Sequence, residues 1–291
     1  MGPSSLSPTV SYSSPSTTAW GHSLQNSLHQ WSVDTRVTVP NSTARFLSTG
    51  DDVVPGNAGV KDQHLALTWV KQNIASFGGD PDLVTLQGQS AGGMDVSLHL
   101  VSPLSSGLFS RLIIQSGNFI VTSAPLEAAR RNAFRLGAAL GFETDVSQQL
   151  VDFLRSVNAT DLLVNSSLIL TGEEKLLYSY ALWSPHIEAE HEGAFISEPP
   201  IQPLIDGRFL RVPIMTGVTS GENNFGILND TDKINTLNNQ FVESVGPCLH
   251  LSTVEEQQAA AAKVREFYFS KDTISADNPD ALVYVSNCYV Y

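Results

Sequence analysis

The run Gly88-Gln89-Ser90-Ala91-Gly92 narrows what this chain can fold into more than any other feature. Before it lies Leu83-Val84-Thr85-Leu86, an apolar run bounded by Asp80-Pro81-Asp82 and by Gly88, which reads as a buried parallel strand. After it, Gly92 to Val101 reads as a helix. A serine hydroxyl is a weak nucleophile, and works only where a base can reach its Oγ and backbone N–H groups face the developing oxyanion. A sharp strand-to-helix turn supplies that setting. Gly88 and Gly92 have no Cβ and let strand and helix approach, while Ala91 offers the N–H that follows the serine. A bare Gly-x-Ser-x-Gly also arises by chance in glycine-rich loops. The flanking strand and helix separate this one from that reading, and make Ser90 the candidate nucleophile, Ala91 the candidate oxyanion donor, and Gly88 and Gly92 the elbow glycines.

The rest of the chain has a matching rhythm. Between Asn57 and Phe77, Val60, Leu65, Leu67, Trp69, Val70 and Ile74 recur at helical spacing, predicting an amphipathic helix facing a sheet, with Gly78-Gly79 as its stop. Arg111 to Gln115 and Val212 to Val218 read as strands. Residues 125 to 164 read as helices, with Ala128, Ala129, Phe134, Leu136, Ala139 and Leu140 in one apolar set and Leu150, Val151, Leu154 and Val157 in another. Glu255 to Phe269 reads as a surface helix. Strands separated by long helical segments predict an α/β class with a mostly parallel sheet. The N-terminal segment differs: 13 of the first 20 residues are Ser, Thr or Pro, so residues 1–44 are expected to be mostly disordered and residues 45–291 to form the folded domain.

The formal charge of −13 repels phosphate backbones and anionic surfaces, which excludes nucleic acid as an expected partner. No stretch approaches the roughly 18 apolar residues that span a bilayer, so no membrane insertion is expected, and the first residues lack the basic and apolar regions of a secretory signal. Cys248 and Cys288 are too few for a disulfide framework and lack the spacing of a metal site. Four sequons begin at Asn41, Asn158, Asn165 and Asn229. They are acceptors if the chain enters a secretory compartment, or the chance yield of a Ser/Thr-rich chain, and the sequence weighs the two evenly.

Pro55-Gly56-Asn57, Lys61-Asp62-Gln63, Trp69-Val70, Asn73-Ile74-Ala75, Phe77-Gly78-Gly79-Asp80-Pro81, the elbow itself and Gln115-Ser116-Gly117 together resemble the type-B carboxylesterase and cholinesterase family. Phe46-Leu47-Ser48-Thr49-Gly50-Asp51 and Gly193-Ala194-Phe195-Ile196 further resemble its arthropod esterases. The resemblance covers roughly residues 45 to 291. It implies an α/β-hydrolase, a mostly parallel sheet with helices on both faces, that cleaves small-molecule carboxylic esters through an acyl-enzyme and needs no cofactor or metal. It also implies the triad acid: Asp206-Gly207, Val212-Pro213 and Gly217-Val218-Thr219-Ser220-Gly221-Glu222 match the block that places it, so Glu222 is the candidate, holding the imidazole in the right tautomer. Where many relatives carry a cysteine pair closing a short loop, this chain has Phe142 and Phe153.

In this fold the triad runs Ser, acid, His. Only His250 follows Glu222, in Pro247-Cys248-Leu249-His250-Leu251, without the family's Gly-x-x-His block, and it is read as structural, so the catalytic His is absent from the expected set. His64, His99, His186 and His191 precede the acid and are read as packing or surface residues. The upstream Gly-Gly-Gly oxyanion loop is missing too. The expectation is therefore a domain incomplete at both ends, with exposed sheet edges and impaired hydrolysis. The alternative is a non-catalytic esterase-like binding or interaction protein: retention of both Ser90 and Glu222 favours an enzyme lineage, while absence of the base favours a binder. Relatives are often secreted or reticular; localisation, the ester and the oligomeric state are not read from these residues.

Overall fold

The computed structural model describes residues 9–12, 32–34, 45–119, 125–166, 168–170, 182–219, 222, 231–245, 251, 253–270, 273–275 and 277. The chain divides into two compact units. The first is Met1–Ile169 with Ala181–Gly217, the second Leu170–Tyr180 with Val218–Tyr291.

The first unit is built on a five-stranded sheet, parallel throughout, in the order β2-β1-β3-β4-β5. The strands are β1 (Thr9–Tyr12), β2 (Ser32–Asp34), β3 (Thr85–Gln89), β4 (Arg111–Gln115) and β5 (Ile214–Gly217). The register aligns Leu86 with Leu112 and Leu112 with Ile214. Two of these strands lie in residues 1–44, a segment expected to be mostly disordered: β1 pairs in parallel with β3 and β2 with β1. Thr9, Val10 and Val33 are β-branched, and pairing removes an open edge from β3. The other residues of 1–44 lie outside the described residues.

Helix α1 (Ala58–Asn73) continues into a 3₁₀ turn, Ile74–Phe77, which Gly78 ends with a left-handed φ of 79° while Gly79 N–H donates to Ile74 O. Of the six apolar residues expected on its sheet side, Val60, Leu67, Val70 and Ile74 are buried. Leu65 and Trp69 are 65% and 48% exposed, because positions 65 and 69 fall nearly half a turn away from the 60-67-70-74 line. Helix α2 (Ala91–Val101) brings Val96 and Leu100 onto the same face of the sheet. There they meet Leu67, Val70, Ile74, Val84, Leu86, Phe109, Leu112 and Ile114 in one cluster. Each of these side chains contributes roughly 1.5–3 kcal/mol on burial. Along β3 and β4 burial alternates, so the other face presents Gln87, Arg111 and Gln115, and Gln87 Nε2 donates to Gln115 Oε1 at 3.0 Å. At the β5 edge all four residues are exposed, Met215 by 69%, as expected of an open edge.

Three helices, α3 (Leu126–Ala139), α4 (Ser147–Ser156) and α5 (Ala159–Ser166), close on a second core of Ala133, Leu136, Leu150, Leu154 and Ile169. The rings of Phe142 and Phe153 stack with centroids 4.5 Å apart and planes 14° from parallel. Two aromatics thus clasp the loop that a cysteine pair closes elsewhere. A short helix, α6 (Ile201–Ile205), precedes β5.

The segment before α1 is tied to a distant loop. Asn57 takes a left-handed φ of 56° and is fully buried; its Nδ2 donates to His186 O at 2.7 Å and to Glu188 Oε1 at 2.8 Å, and its Oδ1 accepts from His186 N at 3.0 Å. Glu188, itself buried, also accepts from Phe195 N at 2.8 Å and pairs with Lys61 Nζ at 2.5 Å. A Cβ on Gly56 would stand 2.3 Å from the His186 ring, so Pro55-Gly56-Asn57 is shaped by this packing.

In the second unit, α7 (Thr231–Asn239), α8 (Phe241–Val245) and α9 (Val254–Phe269) bury Leu237, Phe241, Val245, Ala261, Phe269 and Ile274 together. A capping box starts α9: Thr253 Oγ1 accepts from Glu256 N while the Glu256 carboxylate accepts from Thr253 N.

Candidate active site

Strand β3 ends at Gln89 and α2 begins at Ala91, leaving one residue, Ser90, to make the turn. It does so at φ 56°, ψ −125°, a conformation that costs a non-glycine residue on the order of 1–3 kcal/mol and persists only where its surroundings enforce it. Three close approaches do that. A Cβ on Gly88 would lie 2.0 Å from Gly92 O, so the strand meets the helix with no room for a side chain. Ser90 N–H donates to Gln115 O at 2.9 Å, extending the ladder of β3 and β4 past the strand end. And a Cβ on Gly117 would stand 2.2 Å from Ser90 O. Ser116, also left-handed at φ 53°, donates its N–H to Gly217 O at 2.9 Å and hangs that turn from β5.

The elbow is therefore wedged from two sides. Gly117 and Gly93, whose Cβ would stand 2.9 Å from Gln115 O, belong to it as much as Gly88 and Gly92. Sequence reasoning quoted Gln115-Ser116-Gly117 as a family block without a structural role, because the contact joins the end of one strand to the turn after another.

Ser90 is half-buried and Ala91 exposed. Met94 N–H donates to Ser90 O at 3.0 Å as the first bond of α2, so the amides of Ala91, Gly92 and Gly93 precede the helix's own ladder, and the positive end of its dipole lies at the serine. That arrangement favours negative charge beside Ser90 Oγ.

Beneath the elbow the same helix carries a polar chain, half-buried at Asp95 and Gln63 and fully buried at His99 and Ser105. Asp95 Oδ2 accepts from Gln63 Nε2 at 2.6 Å; Gln63 Oε1 lies 3.2 Å from His99 Nε2, and His99 Nδ1 lies 2.7 Å from Ser105 Oγ. An amide oxygen only accepts, so His99 Nε2 carries the proton and Nδ1 accepts from the Ser105 hydroxyl. The ring is neutral. Complete burial, with His64 nearby, pushes its pKa down to about 3, while burial raises Asp95 to about 6 against the lowering effects of Gln63 and Arg45. His99 thus braces α2 and has the character of a packing residue, as expected. His186 is held below its ordinary value by burial.

Glu222 lies in the second unit, where its Oε1 accepts from Thr219 N at 2.8 Å and from Thr219 Oγ1 at 3.0 Å. Ser90, Ala91, Gly88 and Gly92 come together in the first unit; Glu222 is held in its own turn in the second. Ser220, Gly221 and His250 lie outside the described residues. Among the described residues, no group of three or more His, Cys, Asp or Glu is placed to hold a metal ion, and no helix is long and apolar enough to cross a membrane. A cavity of about 240 Å³ opens beside Leu100, Ser102, Ile196 and Arg208, at the far end of α2. At about 1.5 Å per residue it lies some 15 Å along the helix from Ser90.

Comparison with known proteins places these features in a family. Residues 44–289 match the carboxylesterase family model. The chain is similar to venom carboxylesterase-6 of Apis mellifera, at 33% identity over 82% of this chain and 43% of that protein. It is similar to juvenile hormone esterase of Tribolium castaneum, at 34% over 84% and 43% respectively, and to cholinesterase 1 of Branchiostoma lanceolatum, at 33% over 81% and 68%. The chain spans less than half the length of the two insect relatives. With a parallel sheet, a serine wedged between strand and helix, and a match over most of its length, the chain belongs to the type-B carboxylesterase family of α/β-hydrolases.

Proposed function

We propose that this chain carries the nucleophile and the triad acid of a carboxylic ester hydrolase. Ser90 Oγ attacks the ester carbonyl, the alcohol leaves, and water releases the acid from the acyl-enzyme. The Ala91 N–H, at the head of α2, donates to the oxyanion. In the full triad a histidine takes the serine proton and returns it to the leaving alkoxide while the acid, here Glu222, stabilises the imidazolium; no histidine of this chain is assigned that role, so its turnover is impaired. The carboxylesterase and cholinesterase names of the relatives support the substrate class, a small-molecule carboxylic ester, and no cofactor enters the scheme.

The observation that carries this reading is the Ser90 backbone, left-handed at φ 56° and hydrogen-bonded to Gln115 O between a parallel strand and a helix N-terminus. A serine in a glycine-rich loop has no reason to bear that strain. The test is labelling with a fluorophosphonate probe, which phosphonylates activated serines, followed by peptide mass spectrometry. The expected adduct is on Ser90, absent from Ser90→Ala and from heat-denatured protein. Equal labelling of native and denatured chains, or none, overturns the assignment. Hydrolysis of a short-chain nitrophenyl ester, compared between wild type and Ser90→Ala, reads turnover in the same samples.

A further inference from the structure

Two of the four sequons fall among the described residues, and the fold treats them differently. We propose that Asn158 is an acceptor for an N-linked glycan and that Asn165, seven residues on, is not. Asn158 occupies the turn between α4 and α5, exposed, as is Thr160, the hydroxyl residue of its sequon. Its Oδ1 accepts from Thr160 N at 2.8 Å, which folds the sequon into a tight side-chain turn. Its Nδ2, the atom a glycan is built on, has no hydrogen-bond partner among the described residues. Asn165 sits in the last turn of α5, half-buried, with Nδ2 donating to Asp161 O at 2.8 Å. The next residue, Ser166, is buried, its Oγ donating to Leu163 O at 2.7 Å. Reaching Asn165 requires unwinding the last turn of α5; at Asn158 the acceptor amide is already exposed, and only the first residues of α5, Ala159 and Thr160, have to open.

The co-reactant is a lipid-pyrophosphate-linked oligosaccharide. Asn158 Nδ2 attacks its anomeric carbon, the N–C bond forms, the C–O bond to pyrophosphate breaks, and the amide proton passes to the transferase. No electrons are gained or lost. A glycan there also stands beside an apolar stretch, since Leu163, Val164 and Leu168 are exposed on and just after α5. Shielding those side chains from other molecules is what a bulky solvated group at this turn would do. The inference rests on the geometry of the turn and is independent of the ester chemistry.

The experiment incubates the folded chain with a single-subunit eukaryotic oligosaccharyltransferase and a lipid-linked oligosaccharide, and reads occupancy at each asparagine by peptide mass spectrometry. Synthetic peptides spanning 155–162 and 162–169 serve as unfolded controls. The expected result is that both peptides are modified, while in the folded chain Asn158 occupancy exceeds that of Asn165 at least tenfold. Thr160→Ala abolishes modification of Asn158 and Thr160→Ser restores it. The inference is overturned if Asn158 in the folded chain stays bare while its peptide is modified, or if both asparagines are modified equally.

Discussion

Asp95 and His99 sit on the same helix and are shifted in opposite directions, so their pH dependences oppose one another. His99 has an ordinary value of 6.5 and is pushed to about 3 in the fold. Between those values the unfolded chain binds the proton that the folded one refuses, and stability is lost as pH falls below 6.5. Asp95 goes from 3.8 to about 6, so the folded chain binds the proton first and stability is gained as pH falls from 6 toward 3.8. Between pH 7.5 and 5, linkage gives a loss on the order of 2 kcal/mol from His99 and an opposing gain on the order of 1 kcal/mol from Asp95. The assay is urea unfolding of wild type, His99→Gln and Asp95→Asn at both pH values. His99→Gln is less stable than wild type at pH 7.5, and the gap closes by on the order of 2 kcal/mol at pH 5; Asp95→Asn falls further behind wild type at pH 5 than at pH 7.5, by on the order of 1 kcal/mol. Gaps that are the same at both pH values would refute the reasoning, since they would mean that burial shifts neither group.

Three other outcomes follow from contacts described above. Gly117→Ala places a methyl 2.2 Å from Ser90 O, and should cut fluorophosphonate labelling of Ser90 at least tenfold, a loss that wild-type labelling rates in the variant would disprove. Glu188→Ala strands the buried Asn57 amide and leaves the half-buried Lys61 ammonium unpaired, and should cost about 2 kcal/mol in chemical unfolding; a cost below about 0.5 kcal/mol would show that the tie is replaceable. Phe142→Cys with Phe153→Cys should form a disulfide on mild oxidation, and closing a loop of about 12 residues should make the oxidised form about 3 kcal/mol more stable than the reduced form of the same variant, read from the unfolding midpoints.

Much of the fold was legible because the signals were local. β4 runs from Arg111 to Gln115 as read from its apolar run, and α2 and α9 fall within a residue of expectation, since hydrophobic period, capping residues and glycine stops all sit inside the element they define. The elbow was legible for the same reason. What escaped depends on distant partners. Thr9–Tyr12 reads as part of a disordered segment until β3 offers it an edge, and Leu65 and Trp69 read as core only because they are apolar, although their positions lie on the side of the helix away from the buried line. Gly117 and Gly93 escaped because their task is set by a backbone oxygen from another element. The clasp of Phe142 on Phe153 was legible only through the resemblance, which supplied the pairing.

The tie from Asn57 and Lys61 to Glu188 crosses about 130 residues of chain. A ribosome adding roughly 5–20 residues each second needs on the order of 7–26 s to bridge that interval. For all that time α1 can form and begin to pack, but the left-handed Asn57 at its head has no carbonyl or carboxylate to hold it. Such long-range closure is slow and comes late, because the entropy of the intervening chain is lost before the contact repays it. A nascent chain stalled before residue 188 therefore exposes one end of its principal helix, and that end is where a chaperone or a protease would find it.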